Sequence, residues 1–215
     1  MENILTREFA GFTIRSVPVS EMANNVYLLT ASGRSEHILV DAADDLPAIR
    51  ALLESAGGGE VAAILTTHRH WDHVRALRAA QEELCRRTVA GVDDAEAIEE
   101  ESGASVEQTV SHGEVLEIGG LTLECIALRG HTPGSIAYVL RDGDGGTVIL
   151  SGDSLFPGGP GKTWSPEDFT QLMDDLEERV FARFPDDTLV LPGHGAATAL
   201  GVERPALAEW RERGW

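Results

Sequence analysis

No apolar run in the 215-residue chain approaches the roughly 18–20 residues that a membrane span needs, so a spanning protein is not expected. The first residues, Met1-Glu2-Asn3-Ile4-Leu5-Thr6-Arg7-Glu8, show no basic segment followed by an apolar one, and no secretory signal is expected either. Cysteine is scarce: Cys85 and Cys125 stand 40 positions apart with no C-x-x-C pair. They read as two reduced thiols of a cytoplasmic protein rather than as a disulfide. Positive charge is also short, with 17 Lys and Arg against 36 Asp and Glu and a formal net charge of −19. A surface that acidic repels phosphate backbones and anionic lipid, which disfavours nucleic acid and membranes as partners. No linker or low-complexity tract interrupts the sequence, and the length suits one domain over 1–215.

What is present reads as alternating strands and helices. Residues 12–17 alternate like a half-buried strand, and 25–30, 37–40 and 61–65 read as further strands. Asp44 or Asp45 can cap a helix with an apolar stripe through Leu46, Ile49, Leu52 and Leu53, stopped by Gly57-Gly58-Gly59. A helical stripe follows through Val74, Leu77, Gln81, Leu84 and Cys85. The acidic stretch 93–108 reads as a solvated surface helix or lid. In the second half, 115–118, 121–127, 136–140 and 147–150 are strand-like, and the Asp142–Gly146 run reads as a hairpin turn rather than a calcium loop. Ser165-Pro166 starts a helix, Leu189–Leu191 is a last strand, and a short helix begins near Pro205. Trp210 and Trp215 are expected to pack the tail down. Both halves mix strands and helices, which hints at internal pseudo-symmetry.

The chemistry concentrates in seven side chains. His68-Arg69-His70-Trp71-Asp72-His73 is followed by His131, Asp153 and His194, using five of the chain's seven histidines. Imidazole nitrogens and carboxylate oxygens suit zinc, iron or manganese. His68, Asp153 and His194 each follow an apolar, strand-like run, so the candidates converge on one edge of a core, as rigid scaffolds present sites. Gly152, Gly193 and Gly195 would let the backbone turn sharply beside them. His37 and His112 read as ordinary histidines.

The pattern T-H-x-H-x-D-H, then G-H-T-P-G-S, G-D and G-H, resembles the metallo-β-lactamase superfamily over nearly the whole chain. The resemblance implies an α/β (α+β) fold, a four-layer αβ/βα sandwich with two mixed sheets face to face. It implies that His68, His70 and His131 hold one divalent ion, that Asp72, His73 and His194 hold a second, and that Asp153 bridges them. Zinc leads, with iron or manganese as alternatives. Asp72 is alternatively an orienting partner of a histidine, or a residue that also orients the attacking hydroxide. Two such ions about 3.5–4 Å apart would lower the pKa of a bridging water toward about 7.

The loop Gly152-Asp153-Ser154-Leu155-Phe156-Pro157-Gly158-Gly159-Pro160-Gly161-Lys162-Thr163-Trp164 is similar to the glyoxalase II pattern. There the position of Lys162 binds the carboxylate of a glutathione thioester, and that of Trp164 carries a tyrosine contact. Only 21 residues follow His194, where glyoxalase II usually has a further helical domain. The expected activity is therefore hydrolysis of a small thioester or related ester by a glyoxalase II-like enzyme. A lactonase of the same fold is an alternative. A persulfide dioxygenase is another: it shares the Gly161-Lys162-Thr163 loop and would use one iron on His68, His131 and Asp153.

Overall fold

The structure, a computed structural model, describes residues 3–214. The first half builds a seven-stranded sheet in chain order: β1 (Leu5–Glu8), β2 (Phe12–Val19), β3 (Asn24–Ala31), β4 (Glu36–Val40), β5 (Glu60–Leu65), β6 (Thr88–Gly91) and β7 (Gln108–Val110). Neighbours run antiparallel from β1 to β4 and parallel from β4 to β7. The second half builds a six-stranded sheet from β8 (Val115–Ile118), β9 (Leu121–Ala127), β10 (Ile136–Arg141), β11 (Thr147–Gly152), β14 (Leu189–Pro192) and β15 (Thr198–Ala199). It is antiparallel except where β14 lies parallel to β11. A small hairpin, β12 (Leu155–Phe156) with β13 (Gly159–Pro160), stands apart from both.

Side-chain alternation explains why the sheets stack. On β3, Tyr27 and Leu29 face the centre while Val26 and Leu28 face the other way. On β10, Tyr138 and Leu140 face the centre while Ala137 and Val139 face out. The central cluster joins the two sheets. The outer face of the first packs on α1 (Leu46–Ser55), α3 (Leu77–Glu83) and α4 (Ala95–Ser102). The outer face of the second packs on α5 (Pro166–Leu176) and on Trp210 of α7 (Leu207–Arg213). This is the four-layer sandwich expected. Sheets covered on both faces read as nearly unbroken apolar runs, as β3 does.

The helix starts follow from their caps. Asp45 accepts from Ala48 N at 3.1 Å, and Ser165 accepts from Asp168 N at 3.0 Å. Asp142 closes a hairpin turn with Gly146 and takes the N–H groups of Ala10 and Gly11, so it is a structural turn as expected. Trp210 packs on Phe181, while Trp215 lies outside the described residues.

Two expectations need correction. The single stripe after residue 74 is two short helices, α2 (Trp71–Val74) and α3, because Ala76 N leaves the helical ladder to donate to Ala42 O at 3.1 Å. The acidic stretch holds a surface helix, α4, as expected, but it is no free lid: Ile98 and Asp94 are fully buried while residues such as Glu96, Glu99 and Glu100 face solvent. Strands β1, β6, β7, β12, β13 and β15 carry too few residues to announce themselves by period. The C-terminal segment contains α6 (Leu200–Glu203) before α7.

Candidate metal centre

Parallel strands deliver the site. β5 ends at Leu65 and hands on Thr66, Thr67 and His68. β11 ends at Gly152, just before Asp153, and β14 ends at Pro192, two residues before His194. The sheets are stitched together at this edge. Ile136 N donates to Thr67 O at 2.8 Å, Tyr138 Oη to Thr66 O at 3.0 Å and Tyr27 Oη to Pro192 O at 2.6 Å. His131 comes from the loop between β9 and β10, and α2 presents Asp72 and His73 inward.

All seven predicted side chains meet there. Ligand atoms of His68, His70 and His131 lie within 4.8 Å of one another, as do those of Asp72, His73 and His194. A third set, His68, His73 and Asp153, spans the two. Asp153 Oδ1 is 3.4 Å from His73 Nε2, and its Oδ2 is 3.4 Å from His194 Nε2 and 3.8 Å from His131 Nε2. Its carboxylate thus reaches toward both trios.

The rings are aimed by their outer nitrogens. His73 Nδ1 lies 2.9 Å from Asp41 Oδ2, His131 Nδ1 2.6 Å from Lys162 O, and His194 Nδ1 2.9 Å from Met22 O. Each Nδ1–H has an acceptor, which leaves Nε2 facing the centre. His68 Nδ1 sits 3.0 Å from Thr67 Oγ1, and that hydroxyl donates to Asp41 Oδ2 at 2.8 Å. Asn24 Nδ2 donates to Asp72 Oδ2 at 2.9 Å.

Asp41, Asn24 and the Met22 carbonyl were not singled out from sequence, and Thr67 entered only as the first residue of the histidine motif. One signal for Asp41 was there: it follows the apolar strand β4 just as His68 and Asp153 follow theirs. Asp41 also carries a φ of 57, an uncommon conformation for a residue other than glycine.

The donor set fits a cation on two observations. Asp153 Oδ1 is buried and makes no hydrogen bond, which is costly for a carboxylate unless an ion satisfies it. Nε2 atoms approach in pairs, 3.1 Å between His73 and His194 and 3.3 Å between His68 and His131, with their Nδ1 positions already committed outward.

The electrostatics agree. Burial pushes Asp72 and Asp153 up, but the neighbouring His194 and His73 imidazoles outweigh it, and both stay well below the usual carboxylate range. Burial lowers His73 and His194, yet Asp41 and Asp153 acting on the first, and Asp153 and Asp72 on the second, lift each to about 10. The field therefore favours a positive charge, whether carried by protons or by metal ions. On the other side, burial depresses His68, His131 and His70, the last to about 4, keeping their nitrogens free to donate electron pairs.

Lys162 and Trp164 are exposed beside His131 and His70. Lys162 is the chain's only lysine, and its Nζ lies 4.5 Å above the Trp164 ring. Trp164 is 64% exposed, donates from Nε1 to His131 O at 3.3 Å, and sets its ring 6.1 Å from that of His70. At the opposite end the Phe156 ring lies 6.5 Å from that of His194. His37 is a satisfied structural residue, bonded to Thr30 and Gly58 O, and His112 joins none of the three sets. Among the described residues both cysteines are free, and no helix is long and apolar enough to cross a membrane.

Comparison with known proteins places this geometry. The family model described as "Metallo-beta-lactamase superfamily" matches residues 19–194. A "Hydroxyacylglutathione hydrolase-like protein" of Mus musculus is 31% identical over 185 residues, covering 84% of this chain and 60% of that protein. The chain thus spans about three-fifths of that relative's length. Among solved structures, ETHE1 from Myxococcus xanthus aligns with a TM-score of 0.75 at 29% identity, covering 91% of this chain and 84% of that one. TTHA1623, solved in a di-iron-bound form, aligns at 0.71 with 28% identity over 88% of this chain and 96% of that one.

Proposed function

The chain belongs to the metallo-beta-lactamase superfamily, and on that premise we propose that it is a dinuclear metal-dependent hydrolase of a small thioester or related carboxylic ester. The observation that carries the proposal is the pairing of two complete donor trios across one carboxylate, Asp153, whose inner oxygen has no protein partner. In this reading His68, His70 and His131 hold one ion, Asp72, His73 and His194 the other, and Asp153 lies between them. Two divalent ions, zinc first and iron or manganese otherwise, would supply Lewis acidity and acidify water to a usable nucleophile near neutral pH.

The chain's own groups do the rest. Asn24 fixes the Asp72 carboxylate, which serves as a ligand and accepts a hydrogen bond from the attacking water. The water releases one proton to solvent as its oxygen adds to the carbonyl carbon, and the bond from carbon to sulfur breaks to leave a carboxylic acid and a thiolate. A thiolate leaves without needing a proton, which suits a site whose imidazoles are all committed as ligands. Trp164 forms an apolar wall beside His70, and Lys162 offers a cation for an anionic group on the substrate. Their placement is consistent with the hydroxyacylglutathione hydrolase likeness. The reading takes 1–215 as one domain of a cytoplasmic protein that acts on a small molecule.

A second reading is favoured by the likeness to ETHE1 together with the Gly161-Lys162-Thr163 loop: a persulfide dioxygenase with one iron on His68, His131 and Asp153. One assay pair separates them. Thiol release from a hydroxyacyl thioester of glutathione, and oxygen uptake with glutathione persulfide, are followed on the same preparation. Thiol release without oxygen uptake is expected. Oxygen uptake without thiol release overturns the hydrolase.

A further inference from the structure

The most acidic stretch of the chain carries one carboxylate that the hydrolase reading leaves without a task. Asp94 is 0% exposed, while its neighbours Asp93 and Glu96 face solvent. It occupies the N-cap of α4, where an aspartate ordinarily accepts from the free N–H groups of its own helix. Here its side chain makes no capping bond. Both oxygens turn toward the metal centre's loops instead. Oδ2 accepts from Arg69 N at 3.0 Å and from the Thr132 hydroxyl at 2.5 Å, and Oδ1 accepts from Gly134 N at 2.9 Å. Arg69 lies between His68 and His70, and Thr132 follows His131. One carboxylate therefore joins the two loops that supply the first trio.

Packing supports the same picture independently. A Cβ on Gly134 would lie 2.3 Å from Asp94 N, and one on Gly91 would lie 2.0 Å from Gly134 O. The His131 loop thus rests directly on the backbone that leads into α4. Its other end is held by Asp175 of α5, which accepts from Arg129 N at 2.9 Å and from the Arg129 guanidinium at 2.7 Å.

We propose that Asp94 is a positioning residue for the first metal ion: it fixes His70 against His131 without touching the ion. The proposal rests on the reading that His68, His70 and His131 hold an ion. A buried carboxylate that takes three donors, two of them backbone, locks both loops at once through charge-assisted bonds. Outer partners of this kind are typically worth about 10–100-fold in metal affinity.

The test compares Asp94→Asn with Ile98→Ala in the full chain. Asparagine keeps the size but offers one acceptor oxygen and turns an N–H2 toward a donor. Ile98→Ala removes a fully buried side chain from the same helix and serves as the structural control. Zn(II) affinity is read by competition with a chromophoric chelator, and folding by circular dichroism and thermal melting. Asp94→Asn is expected to weaken one zinc equivalent by about tenfold or more and to leave the other nearly unchanged. Ile98→Ala is expected to lower the melting temperature without changing either equivalent. Unchanged affinity in Asp94→Asn, or an equal loss in Ile98→Ala, overturns the proposal. If Asp94→Asn does not fold, Thr132→Val removes one of the three donors and must weaken the same equivalent; no change there overturns it too. A wild-type chain that takes only one equivalent defeats the two-ion reading by itself, and Asp94→Asn must still weaken that equivalent.

Discussion

Gly193 offers the sharpest perturbation of the centre. Its backbone is not in the left-handed region, so an alanine has an allowed conformation there. The obstacle is space: a Cβ would lie 2.1 Å from Asp153 Oδ1 and 2.7 Å from His73 Cε1. Carbon and oxygen ordinarily stay about 3.3 Å or more apart, so the carboxylate must retreat by about 1 Å. Misplacement on that scale typically costs about a hundredfold in rate. Overpacking costs about 1–3 kcal/mol of stability, and each kcal/mol lowers Tm by about 2–4 °C in a protein of this size. The bonds from Gly193 N to Gly152 O and from Asn25 N to Gly193 O hold the backbone in place, so the variant folds. Gly193→Ala is therefore expected to melt cooperatively, to lose bound metal and to lose about two orders of magnitude in kcat. Gly195→Ala is the control. Its φ of +69 is strained for alanine, but nothing lies within 4 Å of the new Cβ. It loses about 1–2 kcal/mol and keeps its metal. Wild-type metal content and kcat in Gly193→Ala would refute the reasoning.

Further outcomes follow from other contacts. Asp153→Ala is expected to abolish most hydrolysis, since among the described residues no other carboxylate bridges the ligand sets in this way; near-wild-type turnover with full metal content would sink the bridging role. Asp41→Asn removes the acceptor shared by Thr67 and His73 and is expected to weaken metal binding by about 10–100-fold, as a chelator titration would read. Lys162→Ala is expected to raise KM for anionic thioesters more than for neutral esters, and equal effects on both would return Lys162 to an ordinary loop residue. Burial pushes the Cys125 thiol up to about 12. Alkylation at pH 8 is therefore expected to label Cys85 alone in the native protein, and rapid labelling of both would contradict the packing between the sheets.

The ligands were legible because metal chemistry restricts residue type, and because His68, Asp153 and His194 each follow an apolar run that marks a strand end. Capped helices were legible for a similar reason, as at Asp45 and Ser165, where the cap and the helix it starts are neighbours in sequence. The supporting residues were not. Asn24 meets Asp72 across 48 positions, and Asp41 meets His73 across 32. Asp94 reaches Gly134 across 40. No local period encodes such pairings. Asp94 was also hidden by its surroundings, since a carboxylate among many looks solvated until the backbone folds over it. Gly193 was noticed for its freedom to turn, whereas the structure requires it for its missing side chain. The break between α2 and α3 depends on Ala42, far from either helix in sequence.

The central claim is that two ions share Asp153. Elemental analysis of protein purified without chelator tests it directly. The account predicts about two zinc, iron or manganese ions per chain, falling together in Asp153→Ala. One iron per chain with nothing beside it, or no metal at all in active protein, would contradict it.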